Sequence, residues 1–256
     1  MRPGPAAPLS RTRHGSGEGR VIRTSHVLDD PILAALRGNH AHLAETSGLA
    51  ARYPADVSLF SALADRSDAR AWADLAAMAG PSATVVLAGD PPTPPPDWTI
   101  TALLDGVQMI GAGVEPASDP EAEVLGPADV PEILDLVART EPGPYLPRTI
   151  EMGRYLGIRR DGALIAMAGE RMRPPGWTEV SAVCTDPAYR GQGLAGRLIR
   201  AVAEGILARG ETPFLHAAAS NTNAVRLYEK LGFTLRRQLT IALMRTPDAP
   251  AGSAPA

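Results

Sequence analysis

Cysteine and lysine are nearly absent from this chain, aromatic residues make up only 4% of it, and no long apolar run occurs. Cys184 is the single cysteine, so neither an intrachain disulfide nor a cysteine-based zinc cluster can form, and a reducing, cytoplasmic setting is expected. The longest uninterrupted apolar stretch, Ala163 to Ala168, is far short of the roughly 20 residues a membrane span needs. No transmembrane helix is expected. Residues 1–20 carry Arg2, Arg11, Arg13 and Arg20 among Pro, Gly and Ser but have no apolar core of a secretory signal, and read as a disordered leader. Positive charge is not in excess either: net charge is -3 and the pI is near 6.0, so no overall field draws the chain to nucleic acid or to an anionic membrane. Neither is expected as a partner.

What is present is an ordinary globular composition, 45% hydrophobic and 21% charged over 256 residues, enough for one large domain or two small ones. The tail 247–256 is Pro, Ala, Gly and Ser without periodicity and is expected to be disordered. A turn-rich stretch without hydrophobic period, residues 111–120, reads as a linker between an N-terminal lobe (21–110) and a second domain (121–246).

In the first lobe, Pro31 to Glu45 has a helical pattern that Gly38 interrupts. Ser67 caps a second expected helix, with Trp72, Leu75 and Ala79 on one face and Gly80-Pro81 as its stop. Ala83 to Ala88 reads as a buried strand. Trp98 to Leu104 and Val107 to Ile110, around Asp105-Gly106, read as a hairpin. His40 and His42 stand two apart, which puts them on different faces of a helix and argues against a metal site. No metal is expected.

The second half reads more clearly. Glu121 to Leu125 is a strand, and Asp129 with Pro131 opens a helix carrying Ile133, Leu134 and Val137. Tyr155 to Arg159 and Ala163 to Gly169 alternate around Asp161-Gly162, a hairpin signal, and Thr178 to Thr185 is a third strand. A helix follows from about Gly193 to Arg209, then a strand at Phe214 to Ala218, a helix from Asn223 to Leu231, and two closing strands at Phe233 to Arg236 and Leu239 to Met244. The order gives an α/β class with a mixed sheet.

The chemistry is concentrated at Arg190-Gly191-Gln192-Gly193-Leu194-Ala195. The run 191–196 matches G-x-G-x-x-G and stands between a strand and a helix, which raises a dinucleotide-binding reading. Its context is wrong, because Asp186 to Arg190 separate the first glycine from the strand and the next strand ends in alanines rather than an acidic residue. A P-loop would need Lys and Ser or Thr where Arg197 and Leu198 stand. An unliganded glycine turn is the plain alternative. Against it, Arg190 puts a fixed cation beside helix-start amides that Gly191 and Gly193 leave open, an arrangement suited to a diphosphate.

Val183-Cys-Thr-Asp-Pro-Ala-Tyr-Arg-Gly-Gln-Gly-Leu-Ala195 resembles the coenzyme A motif of GNAT superfamily N-acetyltransferases, R/Q-x-x-G-x-G/A with its preceding strand. Asn221-Thr-Asn-Ala-Val-Arg-Leu-Tyr228-Glu-Lys-Leu-Gly-Phe233 resembles the companion motif, in register about 30 residues downstream. The resemblance covers 121–246 and is nearest to glycine N-acyltransferase-like C-terminal domains. It implies a GNAT acyl-CoA N-acyltransferase fold, a mixed and mostly antiparallel sheet flanked by helices; the smaller N-terminal α/β lobe carries no coenzyme motif, and our hypothesis is that it packs beside this fold as a degenerate GNAT-like half.

The same resemblance implies acetyl-CoA as co-substrate and a primary amine of a small molecule or peptide as acceptor, joined by direct attack in a ternary complex. The alternative is an acetyl-CoA-binding module without turnover. Val183, Cys184 and Thr185 would pair with the pantetheine arm, the amides of Arg190 through Ala195 would hold the pyrophosphate, and Asn221 would touch the arm while also suiting a helix N-cap. Tyr228 matches the general acid that protonates the departing thiolate, its plain alternative being a packing role beside Leu227 and Phe233.

Glu179 and His216 are the candidates for the base, an imidazole near pKa 6.5 needing little tuning for that task, with a water relay or purely structural roles as alternatives. Cys184 lacks a paired histidine in the sequence and is not expected to carry the acyl group. Tyr145, Arg148 and Glu151 lie in the family's variable acceptor region and are candidates for substrate contact, although a proline-stiffened loop explains them equally. Trp98, Gln108 and Met109 are candidates to line the acceptor side from the first lobe, although core packing explains them equally. Monomer and homodimer are both left open.

Overall fold

A computed structural model describes residues 26–249; the expected leader at 1–20 and positions 250–256 of the expected tail lie outside the described residues. In chain order the elements are α1 (Pro31–Arg37), β1 (Glu45–Ser47), β2 (Ala50–Arg52), β3 (Ser61–Leu63), α2 (Ala69–Ala79), β4 (Thr84–Gly89) and β5 (Thr99–Ile110). The second half continues with β6 (Glu123–Leu125), α3 (Val130–Thr140), β7 (Tyr155–Arg160), β8 (Ala163–Glu170) and β9 (Trp177–Thr185). It closes with α4 (Leu194–Ala208), β10 (Thr212–Ala218), α5 (Thr222–Lys230) and β11 (Thr234–Arg245).

Two sheets result. β1-β2-β3 form a small antiparallel sheet, and the other eight strands form one mixed sheet in the order β4-β11-β5-β10-β9-β8-β7-β6. Only the β9–β10 pair is parallel among its recorded pairings. The stretch 111–120 has no helix or strand, yet it does not divide the sheet: β5, from the first half, lies between β10 and β11 of the second.

β5 departs from the sequence expectation. It is one strand rather than a hairpin, because Gly106 does not take the positive φ that a two-residue turn demands. Gly106 instead allows close approach, since a Cβ there would stand 3.1 Å from the Leu239 side chain. The two closing strands are likewise one, β11, kinked by a bulge at Arg236: Leu235 pairs with Met109 and Arg237 with Gln108, which leaves Arg236 unpaired between them.

In the first half α1 ends at Arg37, with Gly38 at its C-cap, and the chain from Glu45 is already strand. The cap of α2 is Asp68, whose carboxylate accepts from Arg70 N at 2.9 Å, while Ser67 bonds to Asp65. The hairpin around Asp161-Gly162 is present, both residues having positive φ (50° and 82°).

The sheet is covered on both faces. α4 and α5 pack on one, where Leu198, Ile199 and Ile206 meet Ile165, Ala168, Val180 and Leu215. On the other, α3 brings Ile133 and Leu136 against Met167 and Cys184, and the first half brings Leu28, Ile32 and Tyr53 against Phe214 and Met172. Burial of such apolar surface contributes about 25 cal/mol per Å², so both halves depend on the shared sheet for their cores. Trp98 belongs to a separate cluster, edge-on to Trp72 with ring centroids 5.1 Å apart.

Candidate active site

β9 and β10 run side by side only from Trp177 to Glu179, paired with Thr212 to Phe214. Beyond that point β10 stays with β5 through Ala218 and β9 stays with β8 through Thr185, so the two strands part like the arms of a V. A bulge on β9 assists the parting: Ser181 faces Gly169 and Cys184 faces Met167, leaving Ala182 and Val183 against one residue, with Ala182 at φ 53°. An alanine in the left-handed region costs about 1 kcal/mol, and the surrounding pairs hold it there.

The gap is a cavity of about 440 Å³. Val183, Cys184 and Thr185 line one arm, His216, Ala217 and Ala218 the other, and Asn221, Leu227 and Tyr228 close it on the α5 side. Thr140 to Gly143, at the end of α3 on the opposite face, line its far end. The cavity therefore passes through the sheet. A strand arm without a neighbour offers backbone groups to an extended ligand.

A second cavity of about 290 Å³ shares Thr185, Arg190, Ala195 and Leu227 with the first and adds Gly191, Gly193 and Leu194. Here α4 begins without a side-chain cap, its N-cap Gly193 at φ 76° and Gly191 at φ 81°. A Cβ on either glycine would meet nothing within 4 Å, so φ demands glycine and the space above stays open to a ligand. First-turn amides with no cap and a positive dipole end suit an anion. Arg190 is exposed, bonds only to the Thr185 carbonyl at 3.3 Å, and has no carboxylate partner among the described residues. Gln192 is exposed between the two glycines.

Tyr228 stands at the cavity wall, 9% exposed, edge-on to Phe233 at 6.0 Å. Its hydroxyl has no hydrogen-bond partner among the described residues. Burial pushes its phenol up to about 12, which keeps the proton on oxygen at neutral pH. Asn221 caps α5 through Oδ1, which accepts from Ala224 N at 3.2 Å.

Glu179 and His216 meet at the apex of the V. His216 Nδ1 lies 2.8 Å from Glu179 Oε1, and Glu179 has no exposed surface. Arg171 grips that carboxylate in a fork, Nη2 to Oε1 at 2.6 Å and Nε to Oε2 at 2.8 Å, with its guanidinium over the Phe60 ring. Burial alone would raise the Glu179 carboxyl, but the Arg171 charge and hydrogen bonds, with a lesser part from His216, overcome it and hold it at about 2.

The depressed Glu179 carboxyl stabilises the fold in its ionised form. The stabilisation is complete above the ordinary carboxylate range, near 4.5, and is lost as pH falls towards 2. Protein melted between pH 6 and pH 2.5 should lose on the order of 3 kcal/mol through this group. In Glu179→Gln the acid dependence should be shallower, with a lower plateau because Arg171 is left unpaired; an unchanged slope would contradict the assignment.

Other sequence candidates fall elsewhere. Tyr145 is buried against Tyr155, ring centroids 5.3 Å apart, and does not line the cavity. Arg148 is tied to Glu151 at 2.7 Å and to Asp56 at 3.3 Å, and Thr149 Oγ1 donates to the Val57 carbonyl at 2.7 Å. The loop is thus a strap onto the first half, and its end nearest the cavity is Glu141 to Gly143 instead. Met109 faces the α4 core and Trp98 is remote in its own cluster, so of the three first-half candidates only Gln108 reaches the site. His40 bonds to the Tyr53 hydroxyl at 2.9 Å, and burial lowers it to about 4. No group of three or more His, Cys, Asp or Glu placed to hold a metal occurs among the described residues. No helix among them is long and apolar enough to cross a membrane.

Comparison with known proteins agrees with this architecture. Residues 155–241 match the family model described as FR47-like protein. A crystal structure from Novosphingobium aromaticivorans DSM 12444, assigned to the GNAT family of acetyltransferases, is 43% identical with a TM-score of 0.80, covering 88% of this chain and 100% of that one. The chain belongs to the GNAT family.

A GCN5-related N-acetyltransferase from Kribbella flavida shares the fold at 16% identity, TM-score 0.56, over 86% of this chain and 96% of that one. The N-alpha-acetyltransferase RimI of Mycobacterium tuberculosis (strain ATCC 25618 / H37Rv) is 38% identical over 82 residues, 31% of this chain and 51% of that protein. The chain spans about half the length of the curated relatives it matches, 51% and 42%.

Proposed function

We propose that this chain transfers the acetyl group of acetyl-CoA to a primary amine of a small molecule or peptide, by direct attack in a ternary complex. The observation that carries this reading is the through-sheet cavity, which joins an uncapped helix start and Arg190 at one end to His216 and Tyr228 at the middle. The diphosphate would sit on the amides from Arg190 to Ala195, and the pantetheine arm would pair with the free backbone of Val183, Cys184 and Thr185 near Asn221. The acceptor would enter from the Thr140–Gly143 face, opposite the coenzyme.

Direct attack forms a carbon–nitrogen bond as the carbon–sulfur bond breaks, moving one proton from nitrogen to sulfur. Tyr228, held protonated by burial, is the donor to the thiolate. Glu179 is a poor acceptor, since it is sealed from the cavity and its charge is spent on Arg171. His216 lines the cavity and takes the amine proton at Nε2, while Glu179 orients it from Nδ1.

Thiol release from acetyl-CoA with a panel of primary amines tests the proposal. Amine-dependent release is expected; tight acetyl-CoA binding with no release for any amine would favour a binding module.

A further inference from the structure

Gln108 is almost wholly buried, 1% exposed, and comes from the half of the chain that carries no coenzyme motif. Its three polar contacts determine which way its amide points. Arg236 Nη1 donates to Oε1 at 2.7 Å, and an arginine can only donate, so the oxygen faces Arg236. The amide nitrogen then has two hydrogens and two acceptors, the Leu28 carbonyl at 3.0 Å and His216 Nε2 at 3.0 Å. It follows that Nε2 of His216 carries a lone pair and Nδ1 carries the hydrogen, which it donates to Glu179.

The device that sets this up is the β11 bulge. Arg236 is the extra residue there, and the bulge turns its guanidinium toward Gln108, the Leu28 carbonyl (3.2 Å) and Asp29. The charged and titratable groups around the imidazole are Glu179 on β9 with Arg171 behind it, Arg236 and Arg237 on β11, Asp29 from the first half, and Tyr228 on α5. A cavity with room for only about one water, 10 Å³, separates Gln108 and His216 from Asp29 and Arg237.

We propose that Gln108 is a positioning residue for His216: with Glu179 holding the hydrogen on Nδ1, Gln108 holds the Nε2 lone pair and cedes it only to the N–H of an incoming amine. This rests on His216 as the proton acceptor in the reaction above. When the amine nitrogen bonds to the acyl carbon, its proton passes to Nε2. The Nδ1–H to Glu179 bond is kept, and the Gln108 amide loses one acceptor while retaining Leu28. The first half thereby supplies a part of the proton path, not only a cover for the sheet.

The test reads the imidazole directly, by ¹⁵N NMR of the coenzyme-free full chain, alongside the pH profile of kcat/KM. In the natural protein at neutral pH, the nitrogen shifts should report a single Nδ1–H tautomer. Gln108→Met keeps the shape and charge but removes the donor, so the Nδ1–H tautomer should stay, the Nε2 shift should move as its hydrogen bond is lost, and kcat should fall several-fold, with KM for acetyl-CoA unchanged. Gln108→Glu places an acceptor at Nε2, and the acid limb of the profile should move up by about one pH unit or more.

An Nε2–H tautomer in the natural protein would overturn the proposal. So would variants that lower the melting temperature while leaving both the nitrogen shifts and the pH limb in place, because that is what a purely structural glutamine would do. Should Gln108→Glu fail to fold, Gln108→Met carries the test. The NMR arm needs no turnover, so loss of the acetyl-transfer reading would be seen separately.

Discussion

Residues 121–246 expressed alone should show no cooperative melting transition, whereas the full chain should melt in one. The segment contains every coenzyme motif but lacks β5, which pairs with β10 along Phe214–Ala218 and with β11 along Thr234–Arg245. Without it, two long strand edges lose their backbone partners at once, and the main core loses Val107 and Met109. The opposite face is stripped as well, since Phe214, Met152 and Met172 are covered by Leu28, Ile32 and Tyr53. These losses fall on a fold whose net stability is ordinarily only about 5–15 kcal/mol. Far- and near-UV circular dichroism on heating is the measurement, and a sharp transition within a few degrees of the full chain would show that the second half is a domain by itself.

Tyr228→Phe should lower kcat about 100-fold, the lower end of what a positioned general acid contributes, and leave KM for acetyl-CoA nearly unchanged. The ring of Tyr228 packs against Phe233, and phenylalanine keeps that contact. Its hydroxyl has no protein partner among the described residues, so the melting temperature should hardly move. A loss of stability with unchanged kcat would assign Tyr228 to packing. Steady-state thiol release with a reactive amine, together with a thermal melt, separates the two roles.

The glycine-loop end of the candidate site was legible in the sequence because its signals are local. Gly191 and Gly193 need positive φ, Asn221 is an N-cap, and the helical spacing of Leu194, Leu198 and Val202 places the loop at a helix start; all of these depend on neighbours within a few residues. At the other end Glu179, His216 and Gln108 were legible only singly, and their meeting, with Arg171 and Arg236, was not. Arg171, Glu179, His216, Gln108 and Arg236 come from five strands or strand ends, and nothing in their spacing records that a parallel pair ends at Glu179 or that a bulge turns Arg236 inward.

The misread hairpin at Asp105-Gly106 has the same origin. Locally the dipeptide is a turn signal, but pairing on both sides with β10 and β11 keeps the chain extended through it. β1, β2 and β3 are three residues each, too short for an alternation pattern to register.

A crystal structure of the chain with acetyl-CoA would show directly whether the V between β9 and β10 is the coenzyme site. Diphosphate oxygens are expected on the amides from Arg190 to Ala195, with the pantetheine arm hydrogen-bonded to the backbone of Val183–Thr185 and the thioester sulfur beside the Tyr228 hydroxyl. Coenzyme bound elsewhere, with the space between the two strands left unfilled, would contradict that assignment.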